Sequence, residues 1–75
     1  MTEVRIGNKV VLFSYKTPVA YSEVTELGRG YYKTNKKWSA TTSRHINQWL
    51  PKPQEEFGVE EVEQDVLDNL LNEVK

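Results

Sequence analysis

Thr41, Thr42, Ser43, Arg44 and His45 stand in a row, with Ser39 two residues before them, inside the segment WSATTSRHINQWL that runs from Trp38 to Leu50. His45 is the one histidine of the chain, and Trp38 and Trp49 are its two tryptophans. Hydroxyls beside an imidazole are the starting material of nucleophilic catalysis, in which the ring takes the proton of the attacking oxygen. Such a site needs nucleophile and base within hydrogen-bond reach, together with donors for the developing oxyanion. Ser43 and His45 are two residues apart, and on a helix that spacing does not bring side chains face to face. The spacing therefore favours a structural role, with the hydroxyls at a helix start and His45 half-buried against whatever the helix covers. No enzyme and no catalytic residue is expected.

Other chemistries are poorly supplied. One histidine and no cysteine cannot make a zinc set of the usual kind. The carboxylate-rich EEVEQDVLD lacks the Asp/Asn-and-Gly pattern of a calcium loop. The GRG of residues 28–30 lacks the spacing and the Lys-Ser/Thr ending of a phosphate-binding loop. No metal and no cofactor is expected.

Polyanion contact has better material. RGYYKTNKKWSATTSR interleaves Arg29, Lys33, Lys36, Lys37 and Arg44 with Tyr31, Tyr32 and Trp38. Cations neutralise phosphates, aromatic rings stack on bases, and hydroxyls bond phosphate oxygens. The candidate nucleic-acid contacts are Arg29, Lys33, Lys36, Lys37, Thr41, Arg44 and Gln48. Tyr31 and Tyr32 point to opposite faces of a strand, so at most one is available for stacking.

A second candidate lies in VEEVEQDVLDNLLNEVK. Val59, Val62, Val66, Leu70 and Val74 recur every three or four residues, and Leu67 and Leu71 widen the stripe. This predicts an acidic amphipathic helix near 59–74. Val59, Val62, Val66, Leu67, Leu70 and Leu71 are its candidate contacts with a host protein or a second copy. The same stripe could instead fold back on the chain's own body, because a lone helix of this length is marginal in water.

Around these candidates stand the elements that must hold them. EVRIG and KVVLFSY flank Gly7-Asn8, a good tight-turn pair, and predict a hairpin. Thr17-Pro18 is expected to interrupt the ladder, since proline donates no N–H. VAYSEV and YYKT read as further short strands. Ser39 or Thr41 should cap the following helix, and Pro51 should end it. Thr42, Ile46, Trp49 and Leu50 share one face with His45, while Thr41, Arg44 and Gln48 form the polar stripe.

The fold class expected is α+β: a small curled antiparallel sheet of three to four strands covered by one helix, then a C-terminal acidic amphipathic helix. The domain boundaries expected are residues 1–50 for the sheet and helix, 51–58 for a Pro/Gly linker, and 59–75 for the acidic helix.

Charge follows the same division. Residues 1–54 hold nine bases against three acids, a net +6, whereas residues 55–75 hold eight acids and one base, a net −7. A basic body with an acidic tail suggests a polyanion partner or an internal clamp that competes with one. Seventy-five residues without cysteine make one small domain with no disulfide to support its core. VVLF is too short for a signal peptide, and no segment approaches a membrane span. A soluble cytoplasmic protein without membrane contact is expected.

SYKTPVAY (Ser14–Tyr21) followed by KKWSATTSRHINQWL resembles a small domain of unknown function found in uncharacterised bacteriophage and prophage proteins. These share a Tyr-x-Thr-Pro-Val-Ala segment and a later Trp-Ser-x-Thr-Thr-x-x-His segment. The likeness spans roughly residues 10–50. It implies a phage-encoded accessory protein at work in the host bacterial cytoplasm. Tyr15, Thr17, Pro18, Trp38, Ser39, Thr41, Thr42 and His45 match the pattern. They suggest a seam in which the hydroxyl-rich helix start docks on the Thr-Pro-Val-Ala turn, with Tyr15 and His45 inside it. Two function classes follow: a binding module that contacts nucleic acid through its basic region, or a modulator of a host or defence protein that acts through its acidic helix.

Overall fold

A computed structural model describes residues 2–70. The chain is α+β, with a five-stranded mixed sheet and two helices. Strands β1 (Thr2–Ile6), β2 (Lys9–Ser14), β3 (Thr17–Thr25) and β4 (Gly28–Thr34) form an antiparallel meander. Helix α1 (Ala40–Trp49) follows, then β5 (Glu60–Val62) and helix α2 (Gln64–Leu70). The sheet order is β1-β2-β3-β4-β5, and β5 runs parallel to β4.

Alternation along the strands divides the apolar residues between two faces. Leu12, Val19 and Ala20 pack with Ile46 and Leu50 beneath α1. Val11 and Tyr21 pack with Leu67 and Leu70 beneath α2. Adjacent residues Val11 and Leu12 are both fully buried because each face has its own helix. The result is a sheet covered on both sides, the second cover being the C-terminal helix folded back on the chain's own body.

Two expectations need correction. Pro18 does not interrupt the sheet; it lies inside β3, opposite Phe13. The register shifts between Leu12 and Phe13, so that Leu12 meets Ala20 and Phe13 meets Pro18, which leaves Val19 as the extra residue of a bulge. A bulge is where an interior strand tolerates proline, and it also turns Val19 and Ala20 toward the same core. The break instead falls at Tyr15-Lys16.

The helix expected from residue 59 begins at Gln64. Glu60–Val62 pairs with Tyr32–Thr34, and the Asn35 N–H donates to the Val62 carbonyl at 2.8 Å. The outer edge of β4 needs partners for its backbone groups, and this short strand supplies them. Val59, Val62 and Val66 have helical spacing but straddle a strand and a helix. Val74 and the rest of residues 71–75 lie outside the described residues. Residues 51–58 form successive turns: Glu56, Phe57 and Gly58 donate to the carbonyls of Pro53, Gln54 and Glu55. Gln54 fastens this connection to the body, accepting from Lys33 Nζ at 2.9 Å and donating to Asn47 Oδ1 at 3.2 Å.

Candidate nucleic-acid interface and the adjoining seam

Ser39 caps α1, its hydroxyl accepting from the Thr42 N–H at 3.3 Å, and Pro51 follows the last turn as expected. Thr42, Ile46 and Leu50 are buried against the sheet, His45 and Trp49 are half-buried, and Thr41, Arg44 and Gln48 are exposed. The indole N–H of Trp49 donates to the Glu3 carboxylate, joining the helix end to the first strand.

On one side of the helix start is a cleft of about 280 Å³. Lys33, Lys36 and Lys37 line it with Asn35, Ser43 and Asn47, and Glu61 is its one acid. Register explains the assembly. Lys33 and Glu61 are opposite each other on β4 and β5, on the face that α1 covers, and Ser43 and Asn47 are one turn apart on the helix. Lys36 Nζ lies 4.4 Å from the centroid of the Trp38 ring, within cation–π range, and both it and Lys37 are exposed. No residue of α2 lines this cleft.

The structure thus brings together Lys33, Lys36 and Lys37 of the expected contacts. Thr41, Arg44 and Gln48 occupy the outer stripe of α1 and do not line the cleft. Arg29 is engaged elsewhere, its Nη1 donating to Ser22 Oγ at 2.9 Å. Asn35, Ser43, Asn47 and Glu61 were missed. Ser43 and Asn47 were readable as a polar i, i+4 pair beside Ile46, but Glu61 was not, because its segment read as helix.

Among the aromatic residues proposed for stacking, Tyr31 packs under α1, with its ring edge-on to Phe57 at 6.3 Å. Tyr32 stacks on Tyr21 at 4.6 Å on the opposite face. A side chain on Gly30 would collide with the Tyr32 ring, its Cβ falling 2.9 Å from the hydroxyl, so a glycine there lets that ring lie down. Trp38 is half-buried, and its Nε1 is buried without a hydrogen-bond partner.

On the other side of the helix start is the seam. Ser14, at the end of β2, is buried, and its hydroxyl lies 2.9 Å from Thr42 Oγ1 and 3.1 Å from His45 Nδ1. The Tyr15 ring stands 6.3 Å from the His45 ring at a tilt of 53°. Tyr15 and His45 therefore meet where the helix docks on the β2–β3 turn. Ser14 and His45 have the separation of a nucleophile and base, but Ser14 shares its hydroxyl with Thr42. A cavity of about 210 Å³ opens here, walled by Ser14, Tyr15, Thr17, Trp38, Ser39 and Thr42. Among the described residues, no group of three histidine, cysteine or acidic side chains gathers as a metal set.

The candidate partner stripe is largely used by the chain itself. Leu67 and Leu70 are buried in the core under α2, Val62 packs against that core, and Val59 packs against the core under α1. Val66 is 42% exposed, and Leu71 lies outside the described residues. Gln64 holds the start of α2 in place: its Oε1 accepts from Thr34 Oγ1 and its Nε2 donates to the Pro18 carbonyl, each at 2.8 Å. Among the described residues, no helix is long and apolar enough to cross a membrane.

The chain belongs to a family of unknown function, DUF8033, whose sequence model matches residues 1–69. That match takes in the sheet, both sides of the helix start and nearly all of the described α2. No curated protein and no solved structure matches the chain.

Proposed function

We propose that this is a non-enzymatic, phage-encoded accessory module of the bacterial cytoplasm that contacts the backbone of nucleic acid through the lysine cleft beside α1. The cleft carries this reading: three lysines and the side chains of Thr34, Asn35, Ser43 and Asn47 surround one concave surface, with one carboxylate among them. Lysines supply charge to phosphates, and Asn35, Ser43 and Asn47 can bond their oxygens. Exposed Arg44 and Gln48, on the next stripe of α1, would extend the contact along the helix. The phage origin and the cytoplasmic setting rest on the sequence resemblance.

A protein partner is the other reading. It would have to use Val66 and the acids around it, because Leu67 and Leu70 already serve the fold.

The test is fluorescence anisotropy of labelled single- and double-stranded oligonucleotides across a salt series, with the full chain. Binding should be present at low salt and weaken linearly in log–log form, by roughly 0.7–0.9 per phosphate neutralised. The double variant Lys36→Gln, Lys37→Gln should lower that slope by roughly 1.5–2. Absence of binding at low salt, or an unchanged slope in a folded double variant, overturns the proposal.

A further inference from the structure

We infer that the cavity beneath Tyr15 receives one unstacked pyrimidine base of a single strand whose phosphates lie in the lysine cleft; the inference rests on the nucleic-acid reading above. The first support is adjacency. Trp38 walls the cavity while Lys36 of the cleft lies over its ring, and neighbouring Thr42 and Ser43 line the cavity and the cleft respectively. Phosphate and base sites thus border one another at Trp38 and the first turn of α1, so one strand can engage both.

The second support is Tyr15. Tyr21, Tyr31 and Tyr32 pack into the cores, whereas Tyr15 is 74% exposed. It is also the one non-glycine described residue with positive φ, at 58°. A bulky side chain there is strained, and such strain is concentrated where a side chain must be presented. Here it holds an aromatic face at the rim of a cavity. Bases stack on such faces.

The third support is size and chemistry. A cavity of about 150 Å³ takes a benzene ring, so about 210 Å³ holds a six-membered base with its substituents. The second ring of a purine would have to project beyond it. Thr17 offers a hydroxyl that can donate to or accept from the polar edge of a pyrimidine.

Anisotropy with labelled dT12, dC12 and dA12 at one low salt concentration tests this on the full chain. The pyrimidine strands should bind about 5-fold or more tightly than dA12, the worth of one base–aromatic stack that a purine too large for the cavity forgoes. Tyr15→Gly, which suits the backbone, should reduce dT12 and dC12 to the level of dA12; Tyr15→Asn, also tolerant of positive φ, should repeat the loss. Lys36→Gln, Lys37→Gln should weaken all three strands and leave their ratio unchanged. Equal binding of the three strands, or a preference that survives both Tyr15 variants, overturns the base site and leaves the lysine cleft standing. Absence of binding by every strand overturns both.

Discussion

Two hairpin turns of the sheet share a backbone and differ in every other respect. Gly7-Asn8 joins β1 to β2, and Tyr15-Lys16 joins β2 to β3. The first residue has a φ of 59° in one and 58° in the other, and neither second residue has positive φ. That is the pattern of a type II′ hairpin loop, which asks for glycine at the first position. Glycine adopts it freely, whereas an L side chain costs about 1–2 kcal/mol. The first turn stands in open space: no atom lies within 4 Å of the position a Cβ on Gly7 would take. It is fastened by its own neighbour, since Asn8 Nδ2 donates to the Val24 carbonyl at 2.8 Å and Val24 N–H returns a bond to Asn8 at 3.1 Å. The second turn is fastened from below, by Ser14 reaching Thr42 and His45 on α1. One turn follows from the freedom of its own glycine, with a brace to the neighbouring strand β3. The other is held against its preference by packing far along the chain.

The largest effect should come from cutting that tether. Ser14→Ala removes the hydroxyl shared by Thr42 and His45 and leaves buried Thr42 with the longer contact to Ser39 at 3.4 Å. The expected loss is about 1–3 kcal/mol, the cost of stranding a buried polar group. For a domain of this size each kcal/mol is a fall of about 4–8 °C in Tm. Thermal denaturation followed by circular dichroism measures it, and an unchanged Tm would show that the turn does not depend on the seam.

A smaller effect should follow from giving the first turn the residue of the second. The Cβ of Gly7→Tyr meets no atom within 4 Å and the turn is exposed, so backbone strain dominates its cost. That strain is partly offset because tyrosine restricts the unfolded chain more than glycine does. The net loss should be about 1 kcal/mol. A Tm equal to that of the parent would mean that position 7 tolerates tyrosine without support, and the contrast between the turns would disappear.

The same contrast explains what could be read from the residues. Gly7-Asn8, the Ser39 cap and the stop at Pro51 are local devices, and each stands where its chemistry predicts. The faces of α1 were readable too, because one helical period decides which residues meet the sheet. Tyr15-Lys16 carries no turn signal, so the neighbouring proline attracted the break instead. Pro18 fits inside β3 because of a bulge opposite Leu12 and Phe13, which depends on pairing between strands. β5 escaped because Val59, Val62 and Val66 imitate a helical stripe, and because the need for a strand there arises from the open edge of β4, 26 or more residues earlier in the chain. The candidate site divided likewise. The lysines were legible from their run, but Ser14 as the partner of His45 was not, since 31 residues separate them.

The smallest change in stability is expected where the change in side chain is greatest. Tyr15→Gly deletes an entire ring, yet that ring is mostly exposed and its described aromatic contact is the tilted one with His45. Removing it releases about 1–2 kcal/mol of backbone strain. Against this stand the lost contact and the greater freedom of glycine in the unfolded chain, about 0.4–1 kcal/mol. These nearly cancel, so Tm should remain within a few degrees of the parent while Ser14→Ala falls well below it. A marked fall for Tyr15→Gly would make the ring a structural prop, and the strain at this turn would then serve folding rather than display. A Tm that holds or rises would leave the tyrosine without a folding role to account for its strained backbone. The reason for keeping an aromatic ring at the edge of the seam would then have to come from what the ring meets outside the chain.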